Sequence, residues 1–470
     1  MGSQVWSLLS LGVGLNLVLG ALVAAFKLPI YLDSLGTVLV AALAGPWAGC
    51  LAGGCGVALL GLSSPTALAF LPVGAAVGLL AGAAARLGAF GKSWSAGLAG
   101  ALVGCVCAAI SAPISSTLFG GVTGGGTDLM VAVFRAGGLS TLQAAFSQGL
   151  TVDPLDKAVT FLLVQTLLQV LPRRAIAAFP LAERLPLAFS SPPVYRPSVK
   201  PVGSLGAPQP GRFSADIEPA DTFPQAPTAW KLLAALSVLL AAGSTDSPRA
   251  LSAALLTLWL TYGLVAPNLT WKVTRRLLVA LLPLALSLIV IHGLVAHQPE
   301  ETRYLWLGLS WSLSGLYLAW RLLVRVALAL LMVSVFLATT PLQRIAELLL
   351  RCRVPYPLVF LLLTGANLGT RLRERWTIVK EAQQARGLHL RRGGPWVRVR
   401  TLLGLLTPTL GAVICEIPLR AASLESRGFL TARPRATIPL QWTGETAPTP
   451  LGLMVQVFII LASLGLLLWL

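Results

Sequence analysis

Leu322-Leu-Val-Arg-Val-Ala-Leu-Ala-Leu-Leu-Met-Val-Ser-Val-Phe-Leu-Ala338 contains a single charge in seventeen residues. A helix of that length measures about 25 Å. Roughly 17–25 apolar residues suffice to cross a bilayer. Similar runs occupy 5–26, 36–61, 67–86, 97–119, 127–149 and 156–172. Further along they recur near 229–242, 249–266, 274–296, 303–318, 355–370, 396–415 and 448–470. Hydrophobic residues make up 56% of the chain and charged residues 11%, where soluble domains carry about 25% charge. The expected fold is an all-α polytopic membrane protein, because the short alternating segments of a β-barrel are absent.

The net charge of +18 lies mostly between the apolar runs. That pattern fits basic cytoplasmic loops and contact with anionic membrane lipid. No zinc-finger spacing and no aromatic-basic platform accompanies it, so nucleic acid is not an expected partner. Of the six cysteines none forms a CxxC pair, and Cys105-Val-Cys107 is a weak metal signal; small buried thiols are expected. His292, His297 and His389 make no metal set, and no nucleophile–base pair stands out, so no catalytic or metal residue is assigned.

Composition divides the chain at 181–228, where Pro192, Pro193, Pro197, Pro201, Pro208, Pro210, Pro219, Pro224 and Pro227 fall among few apolar runs. Proline at this density favours extended chain over helix. Residues 181–228 therefore read as a linker between one membrane module at 1–180 and another at 229–470. Six spans in the first module place Arg173 and Arg174 on the cytoplasmic face. On that count Arg86 and Lys92 fall outside, against the positive-inside tendency.

In the first module, Gly12, Asn16, Gly20 and Ala24 recur every four residues and share one helical face. Such small faces let membrane helices approach closely, either within the bundle or against the second module. Tyr31, Asp33 and Ser34 follow in a connecting loop, where Asp33 either caps the next helix or faces a bound molecule. Gly120-Gly-Val-Thr-Gly-Gly-Gly-Thr-Asp128 lacks the lysine of a phosphate-binding loop. It reads as a re-entrant turn or a pocket wall bearing Thr123, Thr127 and Asp128. Asp153-Pro154 suits the N-cap and first position of a helix. Asp156 and Lys157 come next, at a depth where charge is costly and usually functional. Polar groups around an apolar cavity suit a small organic cargo.

The second module holds nine arginines and lysines between Arg371 and Arg400, against two glutamates. Within that stretch lies Glu381-Ala-Gln-Gln-Ala-Arg-Gly387, and Glu425-Ser-Arg-Gly428 follows later. Each glycine can end a helix. Arg386 and Arg427 then stand at helix C-termini, where the dipole favours a cation and the planar guanidinium can clamp a partner.

These two elements, Ala385-Arg386-Gly387 complete and Ser426-Arg427-Gly428 slightly altered, resemble the paired Ala-Arg-Gly signatures of the T component of energy-coupling factor (ECF) transporters. The resemblance covers roughly 229–470. The first module resembles the six-helix substrate-binding S components of the same transporters, so the chain reads as a natural S–T fusion. The resemblance implies a multi-pass protein of a prokaryotic cytoplasmic membrane that takes up a vitamin-like micronutrient or precursor. It implies coupling through Glu381, Arg386, Gly387, Glu425, Arg427 and Gly428 to two cytoplasmic ABC-type ATPase subunits, identical or related. Those subunits would bind ATP and Mg, and this chain would hold no cofactor. It also implies cargo regions around Tyr31–Ser34, Thr123–Asp128 and Asp153–Lys157. An ion-gradient transporter would instead use Asp128, Asp156 and Lys157 for coupling and would show inverted repeats. A scaffold recruiting cytoplasmic partners would need no cargo site.

Overall fold

The computed structural model describes residues 2–26, 33–61, 65–121, 128–170, 179–181, 226–295, 303–306, 309–385, 414, 416–426, 428–429 and 449–468. Residues 182–225 of the expected 181–228 linker lie outside them. The first half contains α1 (Ser3–Phe26), α2 (Leu35–Ala44), α3 (Pro46–Leu60), α4 (Leu71–Arg86), α5 (Ser93–Phe119), α6 (Asp128–Ala136) and α7 (Thr141–Val170). The second contains α8 (Thr228–Ser244), α9 (Pro248–Val265), α10 (Pro267–Leu288), a π-helical turn (Ile289–Val295), α11 (Leu313–Thr339), α12 (Leu342–Arg351), α13 (Tyr356–Ala385), α14 (Ile417–Ser426) and α15 (Pro450–Leu468).

Among the described residues, four segments are long and apolar enough to cross a bilayer: Ser3–Gly20, Thr66–Arg86, Ser93–Phe119 and Leu313–Thr339. Pro267–Val279 and Leu281–Gly293 together form a further candidate, bent by 44°. The chain is a multi-pass membrane protein.

The apolar run 36–61 is not one span. Gly45 adopts φ +95°, a value that favours glycine, and Pro46 opens the next helix immediately. Here α2 and α3 fold back on each other. A Cβ on Gly53 would lie 3.1 Å from Thr37 Cγ2 and 2.6 Å from the Gly74 carbonyl carbon, so α2, α3 and α4 alternate in direction at close range. This extra reversal corrects the topology. Arg86 lies beside Gly45, and Leu181 donates its amide to the Leu43 carbonyl at 3.1 Å. The ends of α2 and α4 therefore share one side with the chain that follows α7, and Arg86 agrees with the positive-inside tendency. We call this the basic side.

Two more expectations are corrected. The runs at 127–149 and 156–172 become α6 and one thirty-residue α7, with Pro154 inside the helix rather than at its start. Asp153 is therefore no N-cap. Close approach explains the tolerance: a Cβ on Gly104 would lie 2.5 Å from the Asp153 carbonyl oxygen and 2.5 Å from Pro154 N. The run 303–318 begins with a β-hairpin, β1 (Arg303–Trp306) against β2 (Leu309–Ser312), pairing Arg303 with Ser312 and Trp306 with Leu309. Apart from these two short strands the described elements are helical, in agreement with the all-α expectation. Ser312 then caps α11 by accepting from Gly315 N at 3.1 Å.

The two halves share hydrophobic core at both ends. Toward the basic side, α1 packs on α13 and α14, and Leu361, Ala366, Ile414 and Ile417 join the core of the first bundle. At the far end, Phe119, Val131 and Ala132 pack with Leu284, Leu288, Ile291 and Leu322.

Candidate functional site

Helix α2 starts without help from its own flank. Its N-cap residue, Ser34, makes no capping bond through its side chain, and Asp33 is not the cap. Asn16 on α1 takes over. Its Oδ1 accepts from Gly36 N at 2.7 Å and Thr37 N at 3.3 Å, and its Nδ2 donates to Thr37 Oγ1 at 2.8 Å. The first amides of a helix need such an acceptor, and here it comes from a neighbouring helix.

Ser34 is thereby released to meet α7. Lys157 Nζ donates to Ser34 Oγ at 3.0 Å and to Asp156 Oδ2 at 2.7 Å, and stands 3.9 Å from Asp33 Oδ1. Asp156 and Lys157 are both buried, whereas Asp33 is partly exposed. Thr160 Oγ1 donates to the Asp156 carbonyl at 2.9 Å, inside the same helix. Residues 123 positions apart in sequence thus form one charged cluster.

The depth of the cluster follows from helix rise. Ser34 stands ten residues above the α2–α3 turn, about 15 Å, and Lys157 stands thirteen residues before the end of α7, about 20 Å. A hydrocarbon core is about 30 Å thick, so the cluster lies near its middle if the α2–α3 turn and the end of α7 mark its boundary. An unpaired charge would be costly there. The mutual pairing of Lys157 with Asp156 and Ser34 is what makes it tolerable.

The other expected cargo residues distribute unevenly. Asp153 lies one turn before Lys157 on α7, on the stretch facing Gly104 and Gly149. Asp128 opens α6 and is buried, but α6 packs on α7 and on the π-helical turn of the second half. It belongs to the far end of the molecule, away from the lysine cluster. Tyr31, Thr123 and Thr127 lie outside the described residues.

The small-residue face of α1 is also redirected. A Cβ on Gly12 would come within 2.8 Å of the Gly36 carbonyl oxygen, Asn16 binds α2, and Gly20 faces Asp33. Gly12, Asn16 and Gly20 pack inside the first bundle, the first of the two alternatives the sequence left open, and the side chain of Ala24 is not described. Contact with the second half uses another side of α1. Val13 Cγ1 would stand 2.8 Å from a Cβ on Gly365 of α13, and the Ser3 hydroxyl bonds to the Glu425 carboxylate of α14. The sequence offered little to find these, since a valine and a terminal serine carry no pattern.

Of the coupling residues, Glu381 is exposed near the end of α13, and Arg386 and Gly387 lie outside the described residues. Glu425 is exposed near the end of α14. Gly428 has φ +70°, with Gly428 N bonding to Glu425 O at 2.9 Å and Phe429 N to Leu424 O at 3.1 Å. This paired closure ends the helix at the glycine. Arg427 lies outside the described residues. Phe429 then packs edge-on against Phe360 of α13, with centroids 4.8 Å apart, and joins the starts of α13 and the end of α14.

Residues 223–438 match the family model of CbiQ, described as a cobalt transport protein. The match starts just before α8 and runs beyond α14, so this part of the chain is similar to that transport family. No curated protein matches the chain.

Proposed function

We propose that the chain is the membrane subunit of an ATP-driven importer of the ECF type. In this reading residues 1–180 receive a small-molecule cargo and residues 229–470 couple its release to two cytoplasmic ABC-type ATPases. The observation carrying the proposal is the direct joint between α1 and α14. The helix whose Asn16 organises the Asp33–Ser34–Lys157–Asp156 cluster is bonded at its other end to Glu425, two residues before Arg427. A displacement of α14 by an ATPase would thus reach the charged cluster through one rigid helix. The similarity of 223–438 to a transport family supports the role of the second half.

The cargo is a vitamin-like micronutrient or precursor held at Asp33, Ser34, Asp156 and Lys157, with Asp153 next to them. Such a cluster has both donors and acceptors, and any polar cargo group that replaced Ser34 on Lys157 would uncouple the α1–α2 loop from α7. The ATPases engage Arg386 and Arg427, with Glu381, Gly387, Glu425 and Gly428 forming the helix ends that present them.

The test is co-purification of the full chain with its ATPases, followed by uptake in proteoliposomes. With Arg386→Ala and Arg427→Ala together, the ATPases should dissociate and uptake should stop. Thermal stabilisation of the same variant by a panel of vitamins, nucleobases and precursors should persist. ATP-independent uptake by the isolated chain would overturn the reading.

A further inference from the structure

The second half carries an arginine pair that neither the coupling elements nor the cargo cluster use. Arg321 and Arg325 lie one turn apart on α11 and converge on one carboxylate oxygen: Arg321 Nη1 to Asp246 Oδ1 at 3.4 Å and Arg325 Nη2 to the same atom at 3.3 Å. Arg325 Nη2 also donates to the Thr245 carbonyl at 2.7 Å. Each guanidinium has five N–H donors. The Nε of both is buried without a partner, and Asp246 is largely exposed. Two cations therefore share one solvent-facing anion, and the cluster is short of acceptors.

An apolar groove of about 340 Å³ takes in Leu328, one turn along α11 from Arg325, though neither arginine lines it. Its walls come from α8, α9, α11 and α15, including Ala241, Ala250, Leu328 and Phe458. Leu328 follows Arg321 and Arg325 on the same face of α11, at the i, i+4, i+7 spacing. Ala241 and Ala250 flank the α8–α9 turn that holds Asp246. The groove runs along α9 from Ala250 to Thr261, about 16 Å by helix rise. That matches one leaflet, half of a core about 30 Å thick.

Its few polar residues offer nothing to a polar ligand. Thr257 Oγ1 donates to Ala254 O at 3.0 Å, Thr261 Oγ1 to Thr257 O at 2.7 Å, and Ser463 Oγ to Ile460 O at 2.8 Å. The groove wants hydrocarbon and its mouth wants an anion. We propose that it holds one anionic glycerophospholipid, with an acyl chain against Ala250, Leu328 and Phe458 and the phosphate at Arg321 and Arg325. Charge complementarity selects the headgroup, since basic side chains near the membrane surface attract anionic lipid.

The test uses the purified, delipidated full chain and native mass spectrometry. Dioleoyl phosphatidylglycerol should be retained as a single adduct and should raise the melting temperature more than dioleoyl phosphatidylcholine does. Arg321→Gln with Arg325→Gln should weaken phosphatidylglycerol retention roughly tenfold or more while leaving phosphatidylcholine retention alone. Asp246→Asn keeps both arginines and removes the competing carboxylate, so it should strengthen phosphatidylglycerol retention; it also decides the matter if the double variant does not fold. Ala254→Trp, which fills the groove, should displace both lipids. Equal retention of the two lipids by the wild-type chain, or unchanged retention in the arginine variant and in Asp246→Asn, would overturn the site. Full competition by glycerol phosphate would reduce it to an anion site without a chain, which also overturns the proposal.

Discussion

Crowded helical glycines are concentrated in the first half of the molecule. In the first half, Gly12, Gly36, Gly49, Gly53, Gly74, Gly78, Gly82, Gly100 and Gly104 face backbone or side chains so close that a Cβ has no room. In the second, Gly315 and Gly365 are crowded too, but a Cβ on Gly243, Gly263 or Gly465 would meet nothing within 4 Å. Apolar lipid tails give membrane helices no hydrophobic reason to associate, so close backbone packing has to supply it. The first half is held together by that contact. The second half relies on large side chains around Tyr262 and Met332 and leaves Leu264, Leu278, Leu282 and Trp271 exposed to the membrane. Under the proposed function the difference has a use: a grip on cargo needs fixed geometry, and a transmitter of the ATPase stroke needs helices that can slide.

The largest expected effect comes from breaking the tight half. Gly78→Leu puts a branched side chain where even a Cβ would lie 2.7 Å from Cys50 N, against backbone that cannot yield. Folded protein should be lost, read as aggregation on size-exclusion chromatography in detergent. A monodisperse Gly78→Leu protein with a near-normal melting temperature would mean that α3 and α4 are not in close contact.

The next effect concerns the charged cluster. Lys157→Met leaves Asp156 buried beside a partly exposed Asp33 with no counter-charge. Removing one partner of a buried pair costs about 3–5 kcal/mol. Lys157→Met combined with Asp156→Leu removes both charges and should recover most of that loss. Thermal unfolding of the two variants checks it. If the double variant is no better than the single one, the pair is not the reason Lys157 is tolerated at mid-depth.

The readings that succeeded were those tied to chemistry that survives any topology. A charged pair in an apolar run must find partners, and Asp33, Ser34, Asp156 and Lys157 do come together. An Arg-Gly step at the end of a polar helix stops it, and Gly428 does so with φ +70°. The failures concern where helices turn, start or continue, which hydropathy cannot register. The run 36–61 stays apolar on both sides of Gly45 because α2 and α3 are each surrounded by other helices. Only the Gly45-Pro46 step marked the turn. Asp153-Pro154 has the local chemistry of a helix start, yet Gly104 on α5 leaves space for α7 to continue through it. The hairpin at 303–312 was absorbed into an apolar run because two strands of four residues are too short to display a period.

The smallest effect is expected in the loose half, and it tests the comparison most directly. Gly263 sits in α9 one residue after the buried Tyr262, with open space where its Cβ would be. Alanine there fills no occupied volume and removes backbone freedom from the unfolded chain. Glycine in a helix interior is less favourable than alanine by about 1 kcal/mol. Gly263→Ala should therefore leave the melting temperature unchanged or raise it by a few degrees. The same substitution at Gly53, which faces the Gly74 backbone, should lower it sharply. Two glycines, one substitution and opposite signs follow from the packing difference alone. A fall at Gly263 comparable to that at Gly53 would show that α9 meets a neighbour tightly in the membrane, and the contrast in packing between the two halves would then fail.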